Sequence, residues 1–261
     1  MPELPDVETY KIEAEKAVGY SIRSIDITDK KFVDLKKSDL DKYFIGKKIK
    51  DLKRQGKFLF LETEGGNAIA IHFGMTGTLE FNDSNQEVPR YAKCIFQLEN
   101  DRRLVYSSRR KLGKVEIATD TEQYIHDREL GQDALEISKT GFIEALKKSR
   151  SSIKGFLTNQ SVIAGIGNVY ADEILFQSRI HPREQTKDLS DKQIRELYGK
   201  MKKVLEKAIE KQADVSRLPG FWLLPRRKEG EECPQCSGRV EKIKISGRNG
   251  YYCPDCQEKS T

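Results

Sequence analysis

A chain of 261 residues is long enough to bury more than one modest hydrophobic core. Hydrophobic residues make up 37% and charged residues 34%, and no apolar run approaches the ~20 residues of a membrane helix, which argues against a helical membrane span and leads us to expect a soluble protein. Lys and Arg outnumber Asp and Glu 47 to 41, a net charge of +6 that suits a polyanionic partner without requiring one.

The opening MPELPDVETY has neither the basic nor the apolar stretch of a secretion signal, so a cytoplasmic protein is expected. Val7, Tyr10, Ala14, Ala17 and Val18 then recur at helical spacing and predict one amphipathic helix over about 6–18, carrying the N-terminus as an exposed tip. From Ser21 to about Thr119 the pattern changes to short strand-like runs, including KFLFLET, AIAIHF, CIFQL and RLVYS, with turn signals at Gly65-Gly66 and Asn100-Asp101. These predict a β-sandwich or flattened barrel.

A helical region is expected to begin near Asp120. Phe142, Ala145 and Leu146 mark a short helix, and Ile153 to Leu157 another. Ser190 and Gln193 form a capping box before Ile194, Leu197, Met201, Val204, Leu205 and Ala208, which share one face of a long helix. Residues 213–232 read as a connector into a cysteine-bearing tail. The organisation predicted is thus α+β in three parts: 1–119, 120–222 and 223–261.

Cys233-x2-Cys236 and Cys253-x2-Cys256, separated by sixteen residues, have the spacing of two knuckles that supply four thiolates to one tetrahedral zinc ion. Cys94 stands apart in an apolar stretch and reads as core. Between the knuckles, Val240, Ile243 and Ile245 precede Gly247-Arg248-Asn249-Gly250 and then Tyr251-Tyr252, which predicts a hairpin with Arg248 at its tip. An arginine there suits phosphate, or is simply a solvated turn residue. Gly165-Ile166-Gly167-Asn168 leads into a helix, and its glycines either present free N–H groups to an anion or permit close packing.

Taken together, MPELPDVE, QGKFL around Lys57, HFGMTG at 72–77, SRRKLG at 108–113, LTNQSVIAGIGNVYADEILF at 157–176 and GRNGYYCPDCQ at 247–257 resemble the formamidopyrimidine-DNA glycosylase and endonuclease VIII family, in the family's order and over nearly the whole chain. The resemblance implies an N-terminal helix on a β-sandwich, a helix–two-turn–helix domain and a zinc ribbon, with DNA held between domains. It implies a glycosylase with abasic-site lyase activity, acting as a monomer on damaged double-stranded DNA. Pro2, freed by removal of Met1, would be the amine nucleophile, and Glu3 the proton shuttle. Lys57, Arg248, Gly167 and Asn168 would hold phosphates near the lesion, while Met75, Arg110 and Leu112 would fill the void left by the extruded base. A catalytically idle relative that binds damaged or branched DNA is the alternative.

The sequence also departs from the family. Leu112 stands where Phe is usual, and Asp6 where Glu is more frequent. The segment before the first knuckle reads Leu223-Leu224-Pro225-Arg226-Arg227-Lys228 in place of a VYGRE-like run. No counterpart of the loop that covers extruded 8-oxoguanine is visible between Gln212 and Cys233, so weak excision of that base is expected.

Overall fold

The structure, a computed structural model, describes residues 1–28, 37–245 and 247–259. Two compact units emerge: one comprises Met1–Pro2 and Asp6–Glu129, and the other Glu3–Pro5 and everything from Leu130 onward. Among the described residues no helix is long and apolar enough to cross a membrane.

The first helix, α1 (Leu4–Ala14), starts two residues earlier than its periodicity indicates and gives way to a single 3-10 turn at 15–17. The early start reflects Pro5, whose missing N–H costs nothing in a first helical turn. Met1 at the tip is exposed as expected, but burial begins two residues behind it: Glu3 is 1% exposed and Leu4 fully buried.

The first unit continues through β1 (Ile22–Ile27), α2 (Lys37–Phe44), β2 (Ile49–Gln55), β3 (Phe58–Thr63), β4 (Ala68–His72), β5 (Gly77–Asp83), β6 (Ala92–Leu98), β7 (Arg102–Ser108), β8 (Lys114–Ala118) and α3 (Thr121–Asp127). Its strands form two four-stranded antiparallel sheets, ordered β1-β6-β7-β5 and β2-β3-β4-β8. Leu79, Phe96, Leu104 and Tyr106 of the first sheet share one core with Leu59, Leu61, Ile69 and Ile71 of the second and with Val7 and Ala14 of α1. Of the sandwich or flattened barrel that the short strand-like runs predict, this is the sandwich. Asn100 and Asp101, both near φ +54°, make the tight β6–β7 turn that their side chains tolerate.

Strand β3 is buried on both faces. Leu59 and Leu61 point into the sandwich, while Phe58 and Phe60 lie against Tyr124 of α3, with ring centroids 5.9 and 5.6 Å away. Helix α3, expected to open the helical region, therefore belongs to the first compact unit, because it covers the outer aromatic face of this strand.

The second unit contains β9 (Gln132–Asp133), α4 (Lys139–Lys148), α5 (Ile153–Leu157), β10 (Ile163–Ala164), α6 (Asn168–Gln177), α7 (Asp191–Glu210), β11 (Glu241–Ile245) and β12 (Arg248–Tyr252). Ser138, Ser152 and Ser190 cap α4, α5 and α7, each accepting the backbone N–H three residues on. Ser190 completes the expected capping box with Gln193. The predicted apolar face of α7 is buried against Phe142, Phe156 and Ile174.

After α7 the connector runs back along α6, with Trp222, Leu223 and Leu224 buried. The Leu224 N–H donates to Glu173 Oε2 at 2.7 Å, and Gln177 Nε2 donates to Glu173 Oε1 at 2.7 Å. Glu173 has no exposed surface, and burial pushes its carboxyl up to about 7 against the pull of these donors. A carboxyl raised by folding binds its proton more tightly in the native chain, so its contribution to stability is complete below the unfolded value and is lost as pH climbs through the folded one. We expect the second unit to lose up to about 3 kcal/mol of stability between about pH 5 and pH 8. Urea unfolding followed by fluorescence of Trp222, the chain's single tryptophan, tests this, and Glu173→Gln should flatten the slope. An unchanged slope in that variant would assign the pH dependence to another group.

Candidate functional site

Glu3 is built into the second unit by α6. Its Oε2 accepts the N–H groups of Gly167 (2.7 Å) and Tyr170 (3.1 Å), and its Oε1 accepts that of Val169 (2.8 Å). The N-terminal turn of a helix leaves such donors without intrahelical partners and favours negative charge. The Gly-x-Gly turn therefore does receive an anion, but it is the protein's own carboxylate rather than a ligand. Both glycines are required: a Cβ on Gly167 would lie 2.3 Å from the Glu3 carboxyl, and one on Gly165, at φ +112°, 2.6 Å from Leu4. The Leu4 N–H also donates to the Gly165 carbonyl at 3.0 Å. Pro2, half-buried, is joined to Glu3 by one peptide bond.

A second charge is sunk four residues further along α6. Asp172, fully buried, accepts Lys154 Nζ at 2.6 Å on one oxygen; on the other it accepts Arg227 Nε at 2.8 Å and the Tyr251 N–H at 3.1 Å. Burial pushes this carboxyl up and the Lys154 ammonium down, each opposed by its partners. Two cations and a backbone N–H thus converge on one carboxyl group. Arg227 also stacks over the Tyr251 ring, 4.7 Å from its centroid.

The zinc hairpin is consequently held against α5 and α6. Asn168 Nδ2 donates to the Asn249 carbonyl at 2.7 Å, and a Cβ on Gly250 would meet Lys154 Nζ at 2.2 Å. Arg248, Asn249 and Gly250 were expected to form the turn; instead they lie in β12, with Arg248 opposite Ile245 and Gly250 opposite Ile243, because Gly250 gives the strand its close approach to Lys154. Arg248 is exposed at the start of that strand, next to the turn rather than within it.

Cys233, Cys236, Cys253 and Cys256 bring their Sγ atoms within 4.8 Å of one another, with Cys233–Cys256 at 3.7 Å and Cys236–Cys253 at 3.5 Å. A zinc ion with Zn–S bonds of ~2.3 Å needs tetrahedral thiolates ~3.8 Å apart, so these residues fit one structural Zn²⁺. Four thiolates leave no coordination position for chemistry.

In the first unit, Gly56 and Lys57 form the turn between β2 and β3, whose last pair is Gln55 and Phe58. His72, a residue the sequence reading did not single out, pairs with Phe58 across β3 and β4, with rings 4.9 Å apart. Burial, and next the Lys57 charge, push its pKa below the usual histidine range. The loops at 73–77 and 109–113 are pressed together: a Cβ on Gly74 would sit 2.4 Å from the Leu112 backbone, and one on Gly113 2.1 Å from the Tyr106 hydroxyl. The Arg110 N–H donates to Thr76 Oγ1 at 2.9 Å. The structure thus joins the segments carrying Met75 and Leu112, which are 37% and 53% exposed, with exposed Arg110.

Lys154, Asp172 and Arg227 were also missed as site residues. The available signal was an acidic pair, Asp172-Glu173, inside an otherwise apolar helix. Their pairing spans 18 and 55 residues of sequence, which no local periodicity reveals.

Comparison with known proteins agrees with these features. Residues 1–115 match the family model for the formamidopyrimidine-DNA glycosylase N-terminal domain, 130–219 its H2TH domain, and 230–259 the zinc finger found in FPG and IleRS. The formamidopyrimidine-DNA glycosylase of Lactococcus lactis subsp. lactis is 32% identical, with 99% of this chain and 100% of that protein covered; that of Aliivibrio fischeri is 32% identical, with 98% of each covered. The structure of the Lactococcus lactis Fpg with abasic-site DNA superposes with a TM-score of 0.86 at 31% identity, covering 98% of this chain and 100% of that one. Its complex with FAPY-dG DNA gives 0.87, also at 31% identity and the same coverage. With likeness of this extent running from the N-terminal segment to the zinc finger, the chain belongs to the formamidopyrimidine-DNA glycosylase family.

Proposed function

We propose that this protein is a base-excision-repair DNA glycosylase with abasic-site lyase activity, acting as a cytoplasmic monomer on double-stranded DNA that carries damaged bases or abasic sites. The observation that carries the reading is the Glu3 carboxylate, fixed on three amides of α6 one residue from Pro2. With Met1 removed, the Pro2 secondary amine attacks C1′ and the base departs with its bonding pair; ring opening of the sugar leaves an iminium. An α-amino group has an ordinary pKa of ~8, so a nucleophilic fraction exists near neutral pH without burial. Glu3 delivers and removes the protons of ring opening and of the eliminations that cut the strand, and its three N–H donors hold it oriented for that work.

Lys57 and Arg248 grip phosphates beside the lesion, and Asn168 supports that grip from the helix end; Gly167, expected to join them, instead gives its N–H to Glu3. Met75 and Leu112 fill the space vacated by the extruded base, and Arg110 holds the orphaned partner. Leu112 offers no aromatic face, which weakens stacking on the neighbouring base. Part of the connector that would have to supply a cover for 8-oxoguanine, Trp222 to Leu224, is buried along α6. Selection then rests on how easily a base leaves the stack, which favours ring-opened purines, damaged pyrimidines and abasic sites.

Borohydride trapping on abasic-site DNA should give a covalent adduct with protein that begins at Pro2 and none with protein that retains Met1. Glu3→Gln should slow strand cleavage by at least about 100-fold while DNA binding changes little. Full lyase activity from the Met1-retaining protein would move the nucleophile to a lysine and end the Pro2 reading. Gly167→Ala, whose methyl displaces the Glu3 carboxylate, should lower the cleavage rate about as much as Glu3→Gln, and combining the two should add nothing. In a kinetic panel, abasic sites and formamidopyrimidines should be processed faster than 8-oxoguanine paired with cytosine. The opposite ranking would overturn the substrate reading.

A further inference from the structure

The cysteine cluster and the exposed Arg248 lie at opposite ends of β12. From Cys253 back to Arg248 is five residues, about 17 Å of extended chain, so a metal-held knuckle alone leaves the arginine on a long lever. The metal end is docked separately: Gln257 accepts the Cys253 N–H at 3.0 Å and donates to the Ile180 carbonyl at 2.9 Å, just beyond α6. Near the other end, three successive residues are tied down. The Asn249 carbonyl receives Asn168, Gly250 sits against Lys154, and the Tyr251 N–H is bonded to Asp172. Asp172 joins these ties, because Lys154 from α5 and Arg227 from the connector both end on it.

We propose that Asp172 and Arg227 are positioning residues for DNA binding: they lock the hairpin onto α6 so that Arg248 is aimed at a phosphate of the lesion strand. Arg227 stands in the segment where this chain departs from its family, inside a basic run that by composition alone suggests direct DNA contact. Its guanidinium is spent within the protein: Nε donates to Asp172, Nη2 reaches the Asn168 carbonyl at 3.5 Å, and its face covers Tyr251. It therefore links the helix end that holds Glu3 with the strand that presents Arg248. Its neighbours Arg226 and Lys228 are exposed and take no part in this arrangement.

This inference rests on the reading of Arg248 as a phosphate contact, and the experiment separates the two. Asp172→Asn would leave buried cations short of a counter-charge and risks misfolding. Arg227→Gln is the cleaner variant, because the Arg227 side chain is 17% exposed. Binding to duplex DNA with an uncleavable abasic-site analogue is measured across a salt series for Arg227→Gln, Arg248→Ala and the double variant, with zinc content and thermal unfolding as controls. Arg227→Gln should weaken binding about tenfold and flatten the salt dependence by about one phosphate contact, as Arg248→Ala does, and the double variant should bind like Arg248→Ala. Arg227→Lys, which can still donate to Asp172, should recover most of the loss. If the two losses multiply, or if Arg227→Gln binds normally while Arg248→Ala does not, the positioning role is wrong. If Arg248→Ala itself binds like the wild type, the reading of Arg248 fails and this inference falls with it.

Discussion

A carboxylate taken out of water must find donors, and Glu3 finds three on the first turn of α6. Much of the second unit follows from that requirement. The turn before α6 needs glycine at 165 and 167 because Leu4 and the Glu3 carboxyl occupy the space a side chain would take. Leu4 anchors residues 3–5 in the core formed by Phe156, Ile166 and Ile174, so the acid is fixed from the apolar side as well. The carboxylate stands at the positive end of the helix dipole, which complements these contacts.

The same helix carries two further buried carboxyl groups, and each meets burial differently. Asp172 gathers two cations and a backbone donor at the junction of α5, the connector and β12. Glu173, one residue on, has only neutral donors from Gln177 and the connector, and its pKa rises to about 7. Adjacent acids on one helix thus act as an ionic tie and as a near-neutral clasp, according to what the neighbouring chain brings to them. The passage between α7 and the first zinc knuckle brings Leu224 and Arg227 there.

In the first unit the comparable constraint is steric. The two loops bearing Met75 and Leu112 approach so closely that only glycine fits at 74 and 113, and the Arg110 amide is tied to Thr76. Apolar side chains left exposed on loops this tightly braced are suited to entering a base stack, since little freedom remains to be lost on binding. The sandwich beneath supplies the rigidity, with both faces of β3 buried.

Local physics made much of this legible from the residues alone. Short apolar runs over β3 and β4 disclosed the sandwich strands, the 3.6-residue pattern behind Ser190 disclosed α7, and two CxxC knuckles disclosed the metal site, because each signal lies within a short stretch of chain. The ordered motifs from MPELPDVE to GRNGYYCPDCQ sufficed for the family. What the tertiary structure alone decided are the pairings between distant segments. The helix end that sequence offered to a phosphate is filled by Glu3 from 164 residues away, α3 joins the sandwich through Tyr124, and Arg227 binds Asp172 across 55 residues rather than facing solvent. Propensity and periodicity act over a few residues, whereas a buried charge is placed by whichever partner the whole fold brings within about 3 Å, and no local pattern records that partner.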